Sequence, residues 1–240
     1  MALSAARNCP ERKPVFLTCV GDDGHADNLE RNTEIDIELI RVKDATTGQY
    51  TCIVNNTGEI SLAIQVKNLS ILNRISFKFQ DMKVSSAFQP SKFPKAEFFD
   101  DFDSILVDFN LPSDTLNRLF ELNRGKRFFI EPTSLFKIFG RHGLIAHAEG
   151  CFPNLEELLT IQQCLNNDKE EPDYDMIAAK TKELKSSNNL KNEIFKICKS
   201  MDMPNYFIVT VAEKGAFYGK CHSAHQTQIP NKKIQLRKKI

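Results

Sequence analysis

From about residue 100 onward, short apolar runs alternate with helix-like stretches, and this alternation limits most strongly what the chain can become. Ser104 to Val107 reads as a strand, Ser113 to Asn123 as a helix opened by Pro112-Ser113, and Arg127 to Ile130 as a strand. Ser134 to Phe139 reads as a short helix. Asn154 to Leu165 places Leu155, Leu158, Leu159 and Ile161 on one helical face. Tyr174 to Leu184 and Leu190 to Met201 read as two more helices, and Tyr206 to Val211 as the last clear strand. Strands separated by helices pair through crossovers, so the rhythm predicts a parallel sheet covered by helices, an α/β doubly wound fold.

The first hundred residues read differently. Val15 to Val20 is a short apolar run ending at Gly21-Asp22-Asp23-Gly24, a strand meeting a turn, and a polar helix-like stretch follows to about Thr33. Gln49 to Val54 and Ile60 to Val66 are β-rich and separated by Asn55-Asn56-Thr57-Gly58-Glu59. No helical pattern parts them, so they pair as an antiparallel hairpin, with Gly58 supplying the positive φ of a tight turn. The stretches 168–175 and 186–189 are solvated connectors.

With 41% hydrophobic and 26% charged residues, the 240-residue chain reads as one globular domain with a small appendage. A net charge of +1 implies no general attraction to nucleic acid or to a membrane surface. No apolar run reaches the length of a membrane span. The seven cysteines are an odd number, widely spaced and without C-x-x-C, which suits free thiols in a reducing, cytoplasmic compartment. Ala, Ser and Arg precede Glu11, so a mitochondrial address is the alternative. Cys221, His222 and His225 offer three metal ligands without a fourth nearby, and read as a strand-to-loop segment. His142 and His147 flank an apolar run and read as core-edge residues.

Several strands of the second half end on polar groups. Asp108 and Asn110 follow Ser-Ile-Leu-Val, Glu131 follows Arg-Phe-Phe-Ile, and Thr210 follows Tyr-Phe-Ile-Val. Ligands of open α/β sheets bind at the carboxyl ends of the strands, so these groups, with Asn154, would line one binding edge. Strand ends that simply meet water are polar as well. Asn154 and Glu157 also have the spacing of an N-cap and its N3 partner, a helix-starting capping box.

These residues resemble a family. Val20-Gly21-Asp22-Asp23-Gly24 looks like the V-G-D-D segment of PfkB (ribokinase-like) carbohydrate kinases, and the hairpin at 48–66 looks like their substrate-covering lid. Val107-Asp108-Phe109-Asn110-Leu111-Pro112, Phe129-Ile130-Glu131-Pro132-Thr133-Ser134 and Pro153-Asn154-Leu155-Glu156-Glu157-Leu158 follow in the family's order. Ile208 to Gly215 resembles the strand and turn that hold the nucleotide. The wording D-x-N-L-P and E-P-T-S is closest to the pseudouridine kinase branch. The likeness runs from about residue 15 to 235, leaving 236–240 as a basic tail.

The resemblance implies ATP- and magnesium-dependent phosphoryl transfer to a hydroxyl of a sugar or nucleoside, pseudouridine first. It assigns Asn154 and Glu157 to the metal and its water shell, Thr210 and Gly215 to the nucleotide, and Asp108 and Asn110 to the substrate. Ala212 stands where the family has a glycine, which puts a backbone approach to phosphate there in question. The family's G-A-G-D turn, whose aspartate is the base and whose amides form the anion hole, occurs nowhere in the sequence. Met1 to Pro14, ahead of the V-G-D-D strand, contains no glycine, whereas the family has a first strand and a G-G-x-x-x-N turn there. The expectation is a partial domain, short at both ends. A positioned base alone contributes roughly 10²–10⁴ in rate, so the chain by itself is expected to be inactive. The alternative function is a non-catalytic partner that forms a homodimer, or a heterodimer with a full-length kinase, through the lid.

Overall fold

The structure, a computed structural model, describes residues 14–31, 36–54, 60–66, 95–122, 125–168, 170–201, 206–220 and 226–229. The chain divides into two compact units, Met1–Phe93 and Pro94–Ile240. The Gly58 turn, the Cys221–His225 cluster and the basic tail lie outside the described residues.

In the first unit, β1 (Val15–Gly21) leads through α1 (Gly24–Arg31) to β2 (Asp36–Val42). The strands pair in parallel, from Val15 opposite Asp36 to Gly21 opposite Val42. Parallel neighbours need a crossover, and α1 supplies it. Asp23 fastens this unit together. Its Oδ1 accepts the amide hydrogens of His25 and Ala26 at 3.1 Å each, capping α1. The same carboxylate accepts from the Thr47 amide and hydroxyl at 2.7 Å, and Thr47 Oγ1 in turn accepts from the Gly21 amide at 3.1 Å. Burial pushes the Asp23 carboxyl upward, but the hydrogen bonds from Thr47, Ala26 and His25 outweigh it and leave its pKa below the usual value. Arg41 of β2 reaches Asp27 and Glu30 of α1 at 2.9 Å, an exposed ion pair.

The hairpin forms as expected. β3 (Gln49–Val54) and β4 (Ile60–Val66) are antiparallel, with a register shift between Ile53 and Val54, and make a two-stranded sheet of their own.

The second unit carries β5 (Ser104–Asp108), α2 (Ser113–Leu122), β6 (Arg127–Glu131), α3 (Leu135–Ile138), a 3₁₀ turn at His142–His147 and β7 (Gly150–Cys151). Then come α4 (Leu155–Asn166), α5 (Tyr174–Ser186), α6 (Leu190–Ser200), β8 (Tyr206–Thr210), β9 (Ala216–Lys220) and β10 (Gln226–Ile229). The six strands lie in the order β10-β9-β8-β7-β6-β5. β5 to β8 are parallel, and β9 and β10 are antiparallel. The expected α/β architecture with a mostly parallel sheet is therefore present. One correction concerns its end. Tyr206 to Val211 is not the last strand, because the chain turns at Gly215 and adds β9 and β10.

Register explains the core. Val107, Ile130, Cys151, Phe207 and Gly219 stand side by side across five strands, all on one face and all buried. Each large apolar side chain in this row contributes roughly 1.5–3 kcal/mol by leaving water. Cys151 and Gly219 are small for a reason. A Cβ on Gly219 would come within 2.2 Å of the Phe207 ring, which occupies that space. On the opposite face the row is Leu106, Phe129, Gly150, Tyr206 and Lys220. Leu106 is 47% exposed there, and Lys220 lies 5.2 Å over the Tyr206 ring.

Helices complete the layers. Phe120 of α2 stacks on Phe128 of β6 with ring centroids 4.1 Å apart. α4 packs on α3, α5 and β8, and α6 on α5 and β9. At the amino ends of β5 and β6, Lys126 donates to the carbonyls of Phe99, Asp100 and Phe102, closing the turn before β5. His142 is buried, as expected of a core-edge residue, and its Nε2 meets Asp168 at 2.6 Å. His147 is exposed, a correction: the 3₁₀ turn directs it away from the core that holds His142 and Ile145.

Gly21 offers a direct check on the first unit. A Cβ there would fall 2.3 Å from the Ala45 carbonyl oxygen and 2.4 Å from the Thr47 amide, both backbone atoms that cannot step aside. Gly21→Ala is expected to cost about 1–3 kcal/mol in urea unfolding. Gly24→Ala, with nothing within 4 Å, is expected to change stability by less than about 0.5 kcal/mol.

Candidate functional site

The side-chain alternation of a strand decides which polar ends meet. Asp108 and Glu131 are register partners at the ends of β5 and β6. They lie two positions beyond Leu106 and Phe129, so they share the less covered face of the sheet. Thr210 ends β8 on that same face, four residues beyond Tyr206. β7 stops early, and the chain passes from Cys151 to Asn154, which forms a parallel bridge with Thr210. The Thr210 amide donates to the Pro153 carbonyl at 3.0 Å. Four strand ends and the start of α4 thus converge along one edge.

Asn154 and Glu157 realise the capping box. Asn154 Oδ1 accepts from the Glu157 amide, and Glu157 Oε2 accepts from the Asn154 amide, both at 2.9 Å. Asn154 sits in extended backbone at φ −77° and ψ 176°, as an N-cap does. The Glu157 carboxylate is consequently locked beside the sheet edge with only 4% of the residue exposed.

Burial raises the Glu157 carboxyl above its ordinary range; the hydrogen bond from Asn154 opposes the rise, and Glu156 adds to it. Glu131 responds more strongly. Burial is the first cause, the Glu157 charge the second, and Asp108 adds a further push, so its pKa rises to about 7 despite the opposing hydrogen bond from the Thr133 backbone. Cys151, wholly buried between these charges, is pushed up by burial first and then by Glu131 and Glu157. Glu131 is thus the most perturbed carboxyl of the edge. Its strand-end position was visible in the sequence, but its coupling to Glu157 depends on the folded sheet. Among the described residues, no three His, Cys, Asp or Glu side chains converge as a metal cage.

At the β5 end, the Asn110 amide donates to Asp108 Oδ1 at 2.7 Å, and Lys137 Nζ from α3 donates to Asn110 Oδ1. Lys137 carries no motif in the sequence and is brought in only by the fold. The connection after β6 is sharply bent. The Ser134 amide donates to the Pro132 carbonyl at 2.7 Å around Thr133, which has φ +65°. A three-residue turn of this kind with a β-branched centre is strained. Thr133 Oγ1 donates to the Glu131 carbonyl at 3.1 Å and helps to hold it.

The turn after β8 runs Val211-Ala212-Glu213-Lys214-Gly215. The Val211 amide donates to the Gly215 carbonyl at 2.8 Å, with Gly215 at φ +87° and Ala212 at φ +38°. Both sit in the left-handed region that favours glycine, so the alanine at 212 keeps a glycine-like backbone at some cost. The structure therefore brings Asp108, Asn110, Asn154, Glu157, Thr210 and Gly215 to one edge region of the second unit.

The raised Glu131 carboxyl makes a pH signature. It binds its proton more tightly folded than unfolded, so the stability it contributes is full below about pH 4.5 and is lost as pH rises through about 7. Glu131→Gln is expected to remove this loss. Between pH 5 and 8 its Tm should fall about 2–4 °C less than that of the wild type, about 1 kcal/mol after allowing for solvent screening of a half-buried group. Equal falls in the two proteins would place Glu131 among ordinary carboxylates.

No family model and no curated protein matches the chain. Solved structures do. Ribokinase from Thermotoga maritima is 16% identical at a TM-score of 0.62, over 98% of this chain and 65% of that one. An Anopheles gambiae adenosine kinase in complex with P1,P4-di(adenosine-5) tetraphosphate is 14% identical at a TM-score of 0.65, over 97% and 65%. A carbohydrate kinase from Agrobacterium tumefaciens is 18% identical at 0.59, over 92% and 61%. The chain spans less than two thirds of the length of each of these proteins. At such identities the shared property is architecture: the chain has the ribokinase-like α/β fold.

Proposed function

We propose that the carboxyl edge of β5 to β8 is an ATP- and magnesium-binding site, and that the protein serves phosphoryl transfer to a sugar or nucleoside hydroxyl, pseudouridine being the first candidate. The observation that carries this reading is the Glu131–Glu157 pair. Both carboxyls are raised by burial, and the Glu157 charge raises Glu131 further, so negative charge is concentrated at the edge, which a divalent cation would relieve. The donor set suits magnesium, a hard ion that keeps several waters and takes few protein carboxylates. When bound, magnesium supplies charge neutralisation on the transferring phosphate.

The chain's own groups take distinct parts in this reading. Asn154 locks Glu157 in place through the capping box, so the helix start and the metal-facing carboxylate are one device. Thr210 and the Gly215 turn border the nucleotide. Asp108, Asn110 and Lys137 form a hydrogen-bonded set that orients substrate hydroxyls. Glu131, with its pKa near neutrality, is the carboxylate of the edge best suited to hold or release a proton. The 240 residues contain no G-A-G-D, so binding is expected to outrun turnover. Among the described residues, Cys151 and Cys164 are buried free thiols, which supports a reducing, cytoplasmic setting. No helix among the described residues is long and apolar enough to cross a membrane.

A second reading has its own observation. β3 and β4 form a two-stranded sheet, and such a hairpin alone is marginal in water. Its outer strand edges are places where another chain can pair, so a partner bound through the lid accounts for its persistence.

Titration of the chain with ATP, with and without magnesium, tests the first reading. Saturable binding that weakens at least about tenfold without magnesium, and likewise in Glu157→Gln, is the expected result. Asn154→Ser, which keeps a helix cap, separates the roles: stability should stay within about 0.5 kcal/mol of wild type, whereas Asn154→Ala should lose about 1 kcal/mol. ATP binding indifferent to both magnesium and Glu157 would sink the proposal. Product formed with pseudouridine and lost in Glu131→Gln would identify Glu131 as the proton acceptor.

A further inference from the structure

The sheet of the second unit has one covered face and one half-open face. Helices make their ring contacts with it on the covered face, Phe120 with Phe128 and Phe195 with Phe207. Parallel strands are ordinarily buried on both faces. Here the opposite face leaves Leu106 47% exposed and Phe129, Ile208 and Tyr218 half-buried. Charge on this face is sorted along the strands. Arg127 opens β6 and Lys220 pairs with Tyr206 at the start of β8, whereas Asp108 and Glu131 close β5 and β6. Among the described residues no cation is ion-paired with Asp108 or Glu131. The Glu131 carboxyl, raised first by burial and then by the charges of Glu157 and Asp108, marks this carboxyl half as short of countercharge.

Register decides where the chain leaves the sheet. Thr210 pairs with Ala216 and Ala216 with Ile229, so β10 ends at the carboxyl edge, level with the end of β8. The next residues are Pro230-Asn231-Lys232-Lys233-Ile234-Gln235-Leu236-Arg237-Lys238-Lys239-Ile240, with five cations, three aliphatic side chains and no acid. This is the complement, in charge and in apolar character, of the carboxyl half of the open face. The distances match as well. In the strand order, β6 and β5 lie four and five places from β10, about 19 and 24 Å at the usual strand separation. Arg237 is eight residues past Ile229, a span of up to roughly 26–29 Å. A chain crossing the face from β10 therefore passes Tyr218 and Ile208 with Ile234 and Leu236, and brings its last cations to Glu131 and Asp108.

We propose that residues 230–240 cover the carboxyl half of the open face, with Ile234 and Leu236 against Ile208 and Tyr218 and with Arg237, Lys238 and Lys239 paired to Asp108 and Glu131. The aliphatic contacts remove apolar surface that the open face leaves in water. The ion pairs form beside a half-buried carboxylate, where salt screens them less than on a bare surface. The inference rests on the register of the sheet and on the charge of the segment, and not on the kinase reading. Its consequence is a self-contact at the edge. The segment carries tethered cations to the carboxylates, and any ligand of Asp108 or Glu131 has to displace it.

The test uses the 240-residue chain without nucleotide or magnesium, so its outcome does not depend on whether the edge binds ATP. A carbodiimide, which joins a carboxylate to an amine in contact with it, is expected to link Lys238 or Lys239 to Asp108 or Glu131. Salt at about 1 M, where the Debye length falls to about 3 Å, should lower the yield at least about fivefold. In a mixture of isotope-labelled and unlabelled chains, the linked pairs should carry one isotope only. Trypsin reads the same contact without chemistry on the carboxylates. Cleavage after Arg237, Lys238 and Lys239 should run at least about fivefold faster in Asp108→Asn/Glu131→Gln than in the wild type, with cleavage elsewhere unchanged. Arg237→Gln/Lys238→Gln/Lys239→Gln should speed cleavage after Lys232 and Lys233 by about the same factor. The proposal is overturned if the lysines link to no carboxylate or to carboxylates spread over the surface, if the linked pairs are of mixed isotope, or if both variants are cleaved at the wild-type rate.

Discussion

The buried row Val107–Ile130–Cys151–Phe207–Gly219 is the constraint on which the rest of the second unit depends. It sets the register of five strands at once. A slip of one residue would turn every apolar side chain of that strand to the other face, so the row admits one alignment. The same alignment decides the fate of the polar strand ends. With Val107 and Ile130 turned inward, Asp108 and Glu131 must emerge on the opposite face, and Thr210 must follow. The acidic edge is thus a geometric result of core packing.

Small residues make the alignment possible. Gly219 leaves room for the Phe207 ring, and Gly150 lies where a Cβ would meet Phe129 at 2.8 Å. β7 is only two residues long, and both are small. It can therefore sit between the aromatic side chains of β6 and β8 while delivering the chain quickly to Asn154. The shortness of this strand brings the start of α4 down onto the end of β8. The capping box and the Asn154–Thr210 bridge are where it lands.

Much of this was legible in the sequence. The alternation after residue 100 indicated a parallel sheet because the apolar runs Ser104–Val107, Arg127–Ile130 and Tyr206–Val211 are long enough to show themselves. The hairpin was legible from its two β-rich runs and their polar break. β7 was not, because Gly150-Cys151 has no pattern of its own and becomes a strand only through its neighbours. β2 could have been read from the alternation in Asp36-Ile37-Glu38-Leu39. β9 was masked by Gly219, a residue that weakens strand patterns but is needed beneath Phe207. Among the site residues, Asn154 and Glu157 were legible as a pair because their partnership is local. Glu131 was legible as a strand end but its coupling to Glu157 was not, and Lys137 was not legible at all, since these neighbours come from distant segments.

The two ends of the β5–β6 pair follow opposite charge logic. At the amino end, Lys126 places an ammonium group among the carbonyls of Phe99, Asp100 and Phe102, the position a bound monovalent cation would take in another turn. That cation is covalently tethered, so it cannot be lost by dilution or exchanged for another ion. At the carboxyl end stand instead the carboxylates of Asp108 and Glu131, with Glu157 beside them. The β5–β6 pair is in this sense a polarised object, with a cationic group among the carbonyls at one end and carboxylates at the other.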